Sequence, residues 1–192
     1  MAEKLYLASS SPRRQELLQQ MGLTFQLVQA PVEEVALPNE SPFSFVRRIA
    51  IEKALDGFNK IEGKDCWVIG GDTAVVLNNK VLGKPRHTTD ATTMLRKLSG
   101  TTHEVLSAVA VVYDGEVFSA VNQTRVEFTE IPTEEIERMV ASGEPMDKAG
   151  AYAIQGQAAK WISRIDGSYS AVMGLPIFEL NQLLLQANFY QE

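Results

Sequence analysis

Cysteine is nearly absent. Cys66 is the sole thiol in 192 residues, which excludes a disulfide framework within the chain and any multi-cysteine zinc site. Histidine is as scarce, with His87 and His103 only, and that argues against His-rich metal chemistry. No apolar run approaches the roughly 20 residues needed to cross a bilayer, and the apolar stretch after Met1 is too short for a signal peptide. The expectation is a cytoplasmic protein with no membrane partner. An excess of positive charge is also missing: 18 Lys and Arg stand against 24 Asp and Glu, a formal net charge of −6. That argues against a nucleic acid polymer as partner, though a small anionic ligand needs only a few cations in one place. There is no internal repeat, low-complexity tract or long Pro/Gly/Ser linker. Neither a G-x-x-x-x-G-K-[ST] loop nor a G-x-S-x-G elbow occurs, which disfavours P-loop and nucleophile-elbow chemistry. Cys66, beside Trp67 in an apolar run, reads as a core residue and not a nucleophile.

What is present is ordinary globular material, 45% apolar and 22% charged, enough for one core, so a single domain over residues 1–192 is expected. Strand and helix signals interleave, which predicts an α/β fold. Leu5–Ser9 reads as a buried strand running into Ser11, an N-cap, and Pro12, suited to the first helical position; Gly22 stops that helix. Thr24–Val28 reads as a second strand. Ser41-Pro42 opens another helix, expected to end near Gly57. Val46, Ile49, Ala50 and Lys53 fall on one face of it, so Lys53 either snorkels at the edge of the core or aims its ammonium into a cleft. Trp67–Ile69 is expected to be a strand broken by Gly70-Gly71-Asp72-Thr73 before Ala74–Leu77 resumes it, with Asn78-Asn79 turning into Val81-Leu82. A helix over Ala91–Leu98 ends at Gly100. Val105–Tyr113, Asp114-Gly115 and Val117 onward form the strongest hairpin signal. Thr133 caps a short helix closed by Gly143; residues 144–176 are rich in Gly and small polar residues; Ile177, Leu180 and Leu184 mark a C-terminal amphipathic helix.

Three features point to one kind of ligand. Between Ser9 and Arg14, hydroxyls, helix-start N–H groups and two guanidinium groups converge, a set suited to phosphate oxygens, although a capped surface helix with two solvated arginines would read the same way. Asp72 lies between two apolar segments, where an unpaired carboxylate would be costly to bury. It is either a turn former or a carboxylate that binds a divalent cation or takes a proton from water. The third is a dispersed set: Glu33-Glu34, Lys53, Lys84 within Gly83-Lys84-Pro85-Arg86, and Asp147-Lys148. Hard carboxylate oxygens suit Mg²⁺ or Mn²⁺ alongside substrate phosphates, and lysines neutralise charge on a transferring phosphorus centre. Spacing along the chain does not by itself show that these residues converge, and each alone reads equally as a solvated surface charge. His87 reads as an exposed loop residue.

Ala8-Ser9-Ser10-Ser11-Pro12-Arg13-Arg14 with Glu16-Leu17-Leu18 resembles the opening signature of the Maf family of nucleotide pyrophosphatases. Val32-Glu33-Glu34, Glu52-Lys53-Ala54, Gly71-Asp72-Thr73, Gly83-Lys84-Pro85 and residues 94–100, 144–156 and 172–176 agree with it in order. The resemblance implies a mixed twisted sheet with flanking helices, inosine-triphosphatase-like, in two lobes around a cleft and often homodimeric. It implies hydrolysis of a nucleoside triphosphate to the monophosphate and pyrophosphate with a divalent cation, Mg²⁺ or Mn²⁺. Asp72 matches the proton acceptor, while Ser9, Arg13, Arg14, Glu34, Lys53 and Lys84 match positions lining the phosphate and metal site, Glu34 and Asp72 being the metal ligands. Arg13, Thr73 and Gln155 look like the dTTP/UTP group. The alternatives are a 7-methyl-GTP or non-standard purine pyrophosphatase, or a nucleotide-responsive regulator of cell division with little turnover. Two departures stand out: Gly71, where the family often has alanine or serine, is expected to loosen the loop before Asp72, and Gln157-Ala158-Ala159 replaces a more glycine-rich continuation.

Overall fold

The computed structural model describes residues 4–62 and 65–190; residues 1–3, at the head of the stretch read for a leader, lie outside them. The strands are β1 (Leu5–Leu7), β2 (Gln26–Leu27), β3 (Trp67–Leu77), β4 (Lys80–Leu82), β5 (Thr102–Tyr113), β6 (Glu116–Phe128) and β7 (Ile162–Asp166). The helices are α1 (Pro12–Gln20), α2 (Pro42–Lys60), α3 (Thr88–Leu98), α4 (Thr133–Ala141), α5 (Tyr169–Met173) and α6 (Ile177–Gln186). The sheet runs in the order β2-β1-β3-β5-β6-β7, with β4 paired to β3. β1 pairs with β2 and β3 in parallel, whereas β3–β4 and β6–β7 are antiparallel. The expected mixed α/β sheet with flanking helices is therefore present. No helix among the described residues is long and apolar enough to cross a membrane.

The chain divides into two compact units. The first takes the described residues of Met1–Asp72, Ser107–Asn122 and Gly174–Glu192; the second takes Thr73–Leu106 and Gln123–Met173. In the first unit the buried residues include Leu5, Leu7, Leu17, Leu18, Ile49, Val68, Ile69, Leu175, Leu180 and Cys66, so Cys66 is the core residue its neighbours predicted. Trp67 stacks on Tyr113 with ring centroids 4.3 Å apart and meets the edge of Phe189. In the second unit Leu95 and Leu98 of α3, Ile136 and Met139 of α4, and Val126 and Phe128 of β6 form one core with Tyr152 and Ala158.

Helix α2 shows how local chemistry places a functional side chain. The Ser44 N–H donates to Ser41 Oγ at 3.1 Å, and Pro42 occupies the first helical position, where its missing N–H is no loss. The face carrying Val46, Ile49, Ala50 and Lys53 is buried. The helix does not end near Gly57 but continues to Lys60. Gly57 is there for contact: an added Cβ would lie 2.9–3.1 Å from Val28, Ala8 and Val68.

The expected break at residues 70–73 does not exist. β3 is one unbroken strand of 11 residues. A Cβ on Gly70 would sit 2.3 Å from the Ala50 carbonyl oxygen and 2.6 Å from the Ala54 nitrogen, so this glycine lets α2 lie directly on the strand. Gly71 is buried within the same strand, so there is no loop before Asp72 for it to loosen. At α1, Ser11 stands at the N-cap without a side-chain cap bond. At α4 the N-cap is Pro132, and Thr133 is the first helical residue. β7 was not expected, because the Ser163-Arg164 pair breaks its apolar pattern and both residues are exposed. The two hairpin turns are as read, with Asn78, Asn79, Asp114 and Gly115 all at positive φ. His87 is exposed, and its Nδ1 caps α3 by accepting from the Asp90 N–H at 3.2 Å.

Candidate active site

The first unit brings together six of the residues singled out by sequence. Ser9 follows β1, and its Oγ accepts from the Ser11 N–H and from Arg14 Nη1, each at 3.2 Å. The Ser9 hydroxyl thus ties the N-cap residue Ser11 to the Arg14 side chain at the start of α1. Arg14, half-buried in α1, also donates through Nε to the Gly174 carbonyl at 2.8 Å. Burial lowers its pKa, while the charges of Asp72 and Glu34 raise it and the neighbouring Arg13 lowers it further.

Lys53 settles its own two readings. Only 8% exposed on α2, it donates from Nζ to Asp72 Oδ1 at 2.9 Å and pairs with Glu34 Oε1 at 2.6 Å. It is an inward-facing ammonium that holds two carboxylates, not a snorkelling side chain. Asp72 is 6% exposed on β3. Burial pushes its carboxyl above the usual carboxylate range; Lys53 and Arg14 pull it down, and Glu34 adds to the rise. Two carboxylates from different segments thus share one cation, with a held guanidinium in electrostatic reach. Among the described residues no group of three or more His, Cys, Asp and Glu side chains could hold a metal ion.

Three further candidates belong to the second unit. Thr73 is half-buried, the next residue along β3, while Lys84 and Gln155 are exposed. The Gln157 N–H donates to Glu144 Oε1 at 3.0 Å, which fixes the turn just after Gln155. Asp147 and Lys148 pair with each other at 2.7 Å, and Glu33 is exposed. Sequence reasoning from the residues missed Gly174 as the anchor of Arg14. It acts through a backbone carbonyl, so no side-chain pattern marks it. The Val172–Pro176 segment, which agrees with the Maf pattern, was the available signal.

The Maf-like protein family model matches residues 4–187. The chain belongs to that family. A dTTP/UTP pyrophosphatase from Hydrogenovibrio crunogenus is 59% identical to this Maf-like chain over 192 residues, covering 100% of both. One from Alkalilimnicola ehrlichii is 50% identical over 94% of this chain and 91% of its own. One from Escherichia coli O157:H7 is 48% identical over 98% and 95%. Among solved structures, the Staphylococcus aureus Ham1 protein aligns over 97% of each chain at 14% identity with a TM-score of 0.48, too slight a likeness to add to the family assignment.

Proposed function

We propose that this Maf-like chain hydrolyses dTTP and UTP to the monophosphate and pyrophosphate. The observation that carries the reading is Lys53 Nζ held between Asp72 and Glu34 beside the anchored Arg14. The names of its relatives supply the substrate class. In this reading Asp72 takes the proton of a water whose oxygen attacks the α-phosphorus. The bridging bond to the β-phosphate breaks, and pyrophosphate leaves. Arg13, Arg14 and the Ser9 region receive the phosphate oxygens at the start of α1, where N–H groups and guanidinium charge favour anions. Lys53 keeps Asp72 ionised, and its third N–H remains for a phosphate oxygen. Lys84 serves the phosphates, and Thr73 and Gln155 read the pyrimidine edge, their hydroxyl and amide being able both to donate and to accept.

Glu34 and Asp72, turned toward one cation, form a hard-oxygen donor pair of the kind that Mg²⁺ or Mn²⁺ uses together with substrate phosphates. The donor set fits, and Glu34 and Asp72 would hold the ion. When bound, it supplies charge neutralisation on the triphosphate. One domain over residues 1–192, a homodimer and a cytoplasmic location complete the reading.

The test is pyrophosphate release across standard and modified triphosphates, with and without Mg²⁺ or Mn²⁺. The expected profile favours dTTP and UTP; a preference for a methylated or non-standard purine would overturn it. Asp72→Asn should reduce turnover by about 100-fold or more, the scale of a lost general base, with an unchanged circular dichroism spectrum. Near-normal turnover would remove Asp72 from the mechanism. Gln155→Glu should hurt dTTP and UTP more than other triphosphates, and an equal loss on all of them would reject its base-reading role.

A further inference from the structure

Residues 28–41 form neither helix nor strand, yet Glu34 within them reaches Lys53. That pair cannot hold the segment alone. The Glu34 end of the pair is 48% exposed against 10% for Lys53, and an ion pair open to solvent on one side contributes only modestly against the entropy of ordering a loop. The stronger hold lies next to it. Arg48 on α2 donates from Nη2 to the Val35 carbonyl at 2.9 Å, the residue directly after Glu34. The same guanidinium grips Glu40 at the far end of the segment, Nε to Oε1 at 2.7 Å and Nη2 to Oε2 at 2.8 Å. Its Nη1 donates to Glu52 on its own helix at 3.0 Å, and its carbon centre lies 5.7 Å from the Phe45 ring centroid. Glu40 also accepts from the Leu37 N–H at 2.9 Å, and its side chain is only 8% exposed. These bonds hold its carboxyl down at about 2, so the grip keeps its charge throughout the working pH range.

We propose that Arg48 is a positioning residue for Glu34: its planar fork ties the segment that carries Glu34 to the helix that carries Lys53. The inference rests on the reading of Glu34 as a metal-site carboxylate. One guanidinium clamps both ends of residues 35–40, and Glu34 is delivered at the clamped edge. A lysine cannot reproduce this, because an ammonium lacks the rigid fork that grips a carboxylate through two N–H groups and a carbonyl at once.

The experiment compares full-length wild type, Arg48→Lys and Glu40→Gln, each also in a Glu34→Gln background. Amide hydrogen exchange across residues 33–37 should speed up in Arg48→Lys. In the pyrophosphate assay, the apparent KM for Mn²⁺ should rise about 10-fold, the lower end of what losing an outer support of a metal ligand costs. The kcat at saturating Mn²⁺ should be retained. In the Glu34→Gln background Arg48→Lys should add no further rise, since the residue it positions is already disabled. Glu40→Gln keeps the shape and loses the charge; it should move both readouts in the same direction by less, and it carries the test if Arg48→Lys does not fold. Unchanged exchange at residues 33–37, or a rise that persists in full without Glu34, overturns the proposal. If wild type releases no pyrophosphate from any triphosphate, the functional reading falls, and the exchange measurement still decides whether Arg48 clamps the segment.

Discussion

Asp72 is 6% exposed on β3, and burial pushes its carboxyl above the ordinary value of 3.8 against the pull of the Lys53 ammonium and the Arg14 guanidinium. A proton acceptor must be ionised, so kcat/KM should rise with pH through that elevated value, placing the acid limb above the ordinary carboxylate range. Lys53→Met removes the nearest compensating charge and should move the limb higher still. A limb that stays put in a pH–rate series would show that Lys53 does not tune Asp72. Stability follows the opposite sign. Over the window between the ordinary and the elevated value the native state binds more protons than the unfolded one, so the contribution of Asp72 is complete below 3.8 and is lost as pH rises through the folded value. Removing Lys53 also leaves buried carboxylate charge short of a partner, a change that typically costs about 3–5 kcal/mol. Residue identity was readable here: Asp72, Lys53 and Glu34 all stand out in the chain. Their meeting was not, because Lys53 and Asp72 are 19 positions apart and no periodicity links a helix face to a strand.

At the scale of elements, the contact of α2 with β3 is what delivers Lys53 to Asp72. Gly70→Ala would place a methyl 2.3 Å from the Ala50 carbonyl oxygen. Helix backbone cannot give way as a side chain can, so a loss of about 3 kcal/mol, the upper end of overpacking costs, is expected, together with reduced turnover. Gly71→Ala is the contrast. Its Cβ would meet Arg14 Nε at 3.2 Å, the flank of a long side chain, and a small adjustment should accommodate it. Thermal melts of the two variants check this; equal losses would place the helix contact elsewhere. The same contact explains why the glycine pair was misread as a break. From sequence a glycine in a strand marks either a bend or a close approach, and only the partner surface distinguishes them. Of the expected caps only Thr133 is displaced, since Pro132 holds the N-cap position of α4. Serine before proline marks a helix start at both Ser11 and Ser41, and both stand at the N-cap, but only the Ser41 hydroxyl accepts a cap bond; at α1 the ordering contact is the Ser11 N–H donating to Ser9 Oγ.

At the scale of the whole molecule, the net charge of −6 coexists with a local set of Arg13, Arg14 and Lys53, so anion binding here depends on placement and not on overall charge. β3, β5 and β6 each run from one compact unit into the other. Separate unfolding would have to break strands in mid-course, so one cooperative transition is expected. Trp67 lies in the first unit and Trp161 in the second. Trp67→Phe and Trp161→Phe each leave a single reporter, and coincident fluorescence midpoints would support one transition, whereas separate midpoints would contradict it. The sequence by itself determined the α/β class, the hairpin turns, the buried face of α2 and the residue types able to meet a triphosphate, because periodicity, turn chemistry and charge are local properties. Only the tertiary structure decided that β3 runs unbroken, that Ser9 and Gly174 hold Arg14, that Arg48 grips the Glu34 segment and that Lys53 joins two carboxylates. Arg14 meets Gly174 from 160 positions away and Lys53 meets Asp72 from 19, contacts that no local pattern encodes and that exist only when burial presses backbone and charge together.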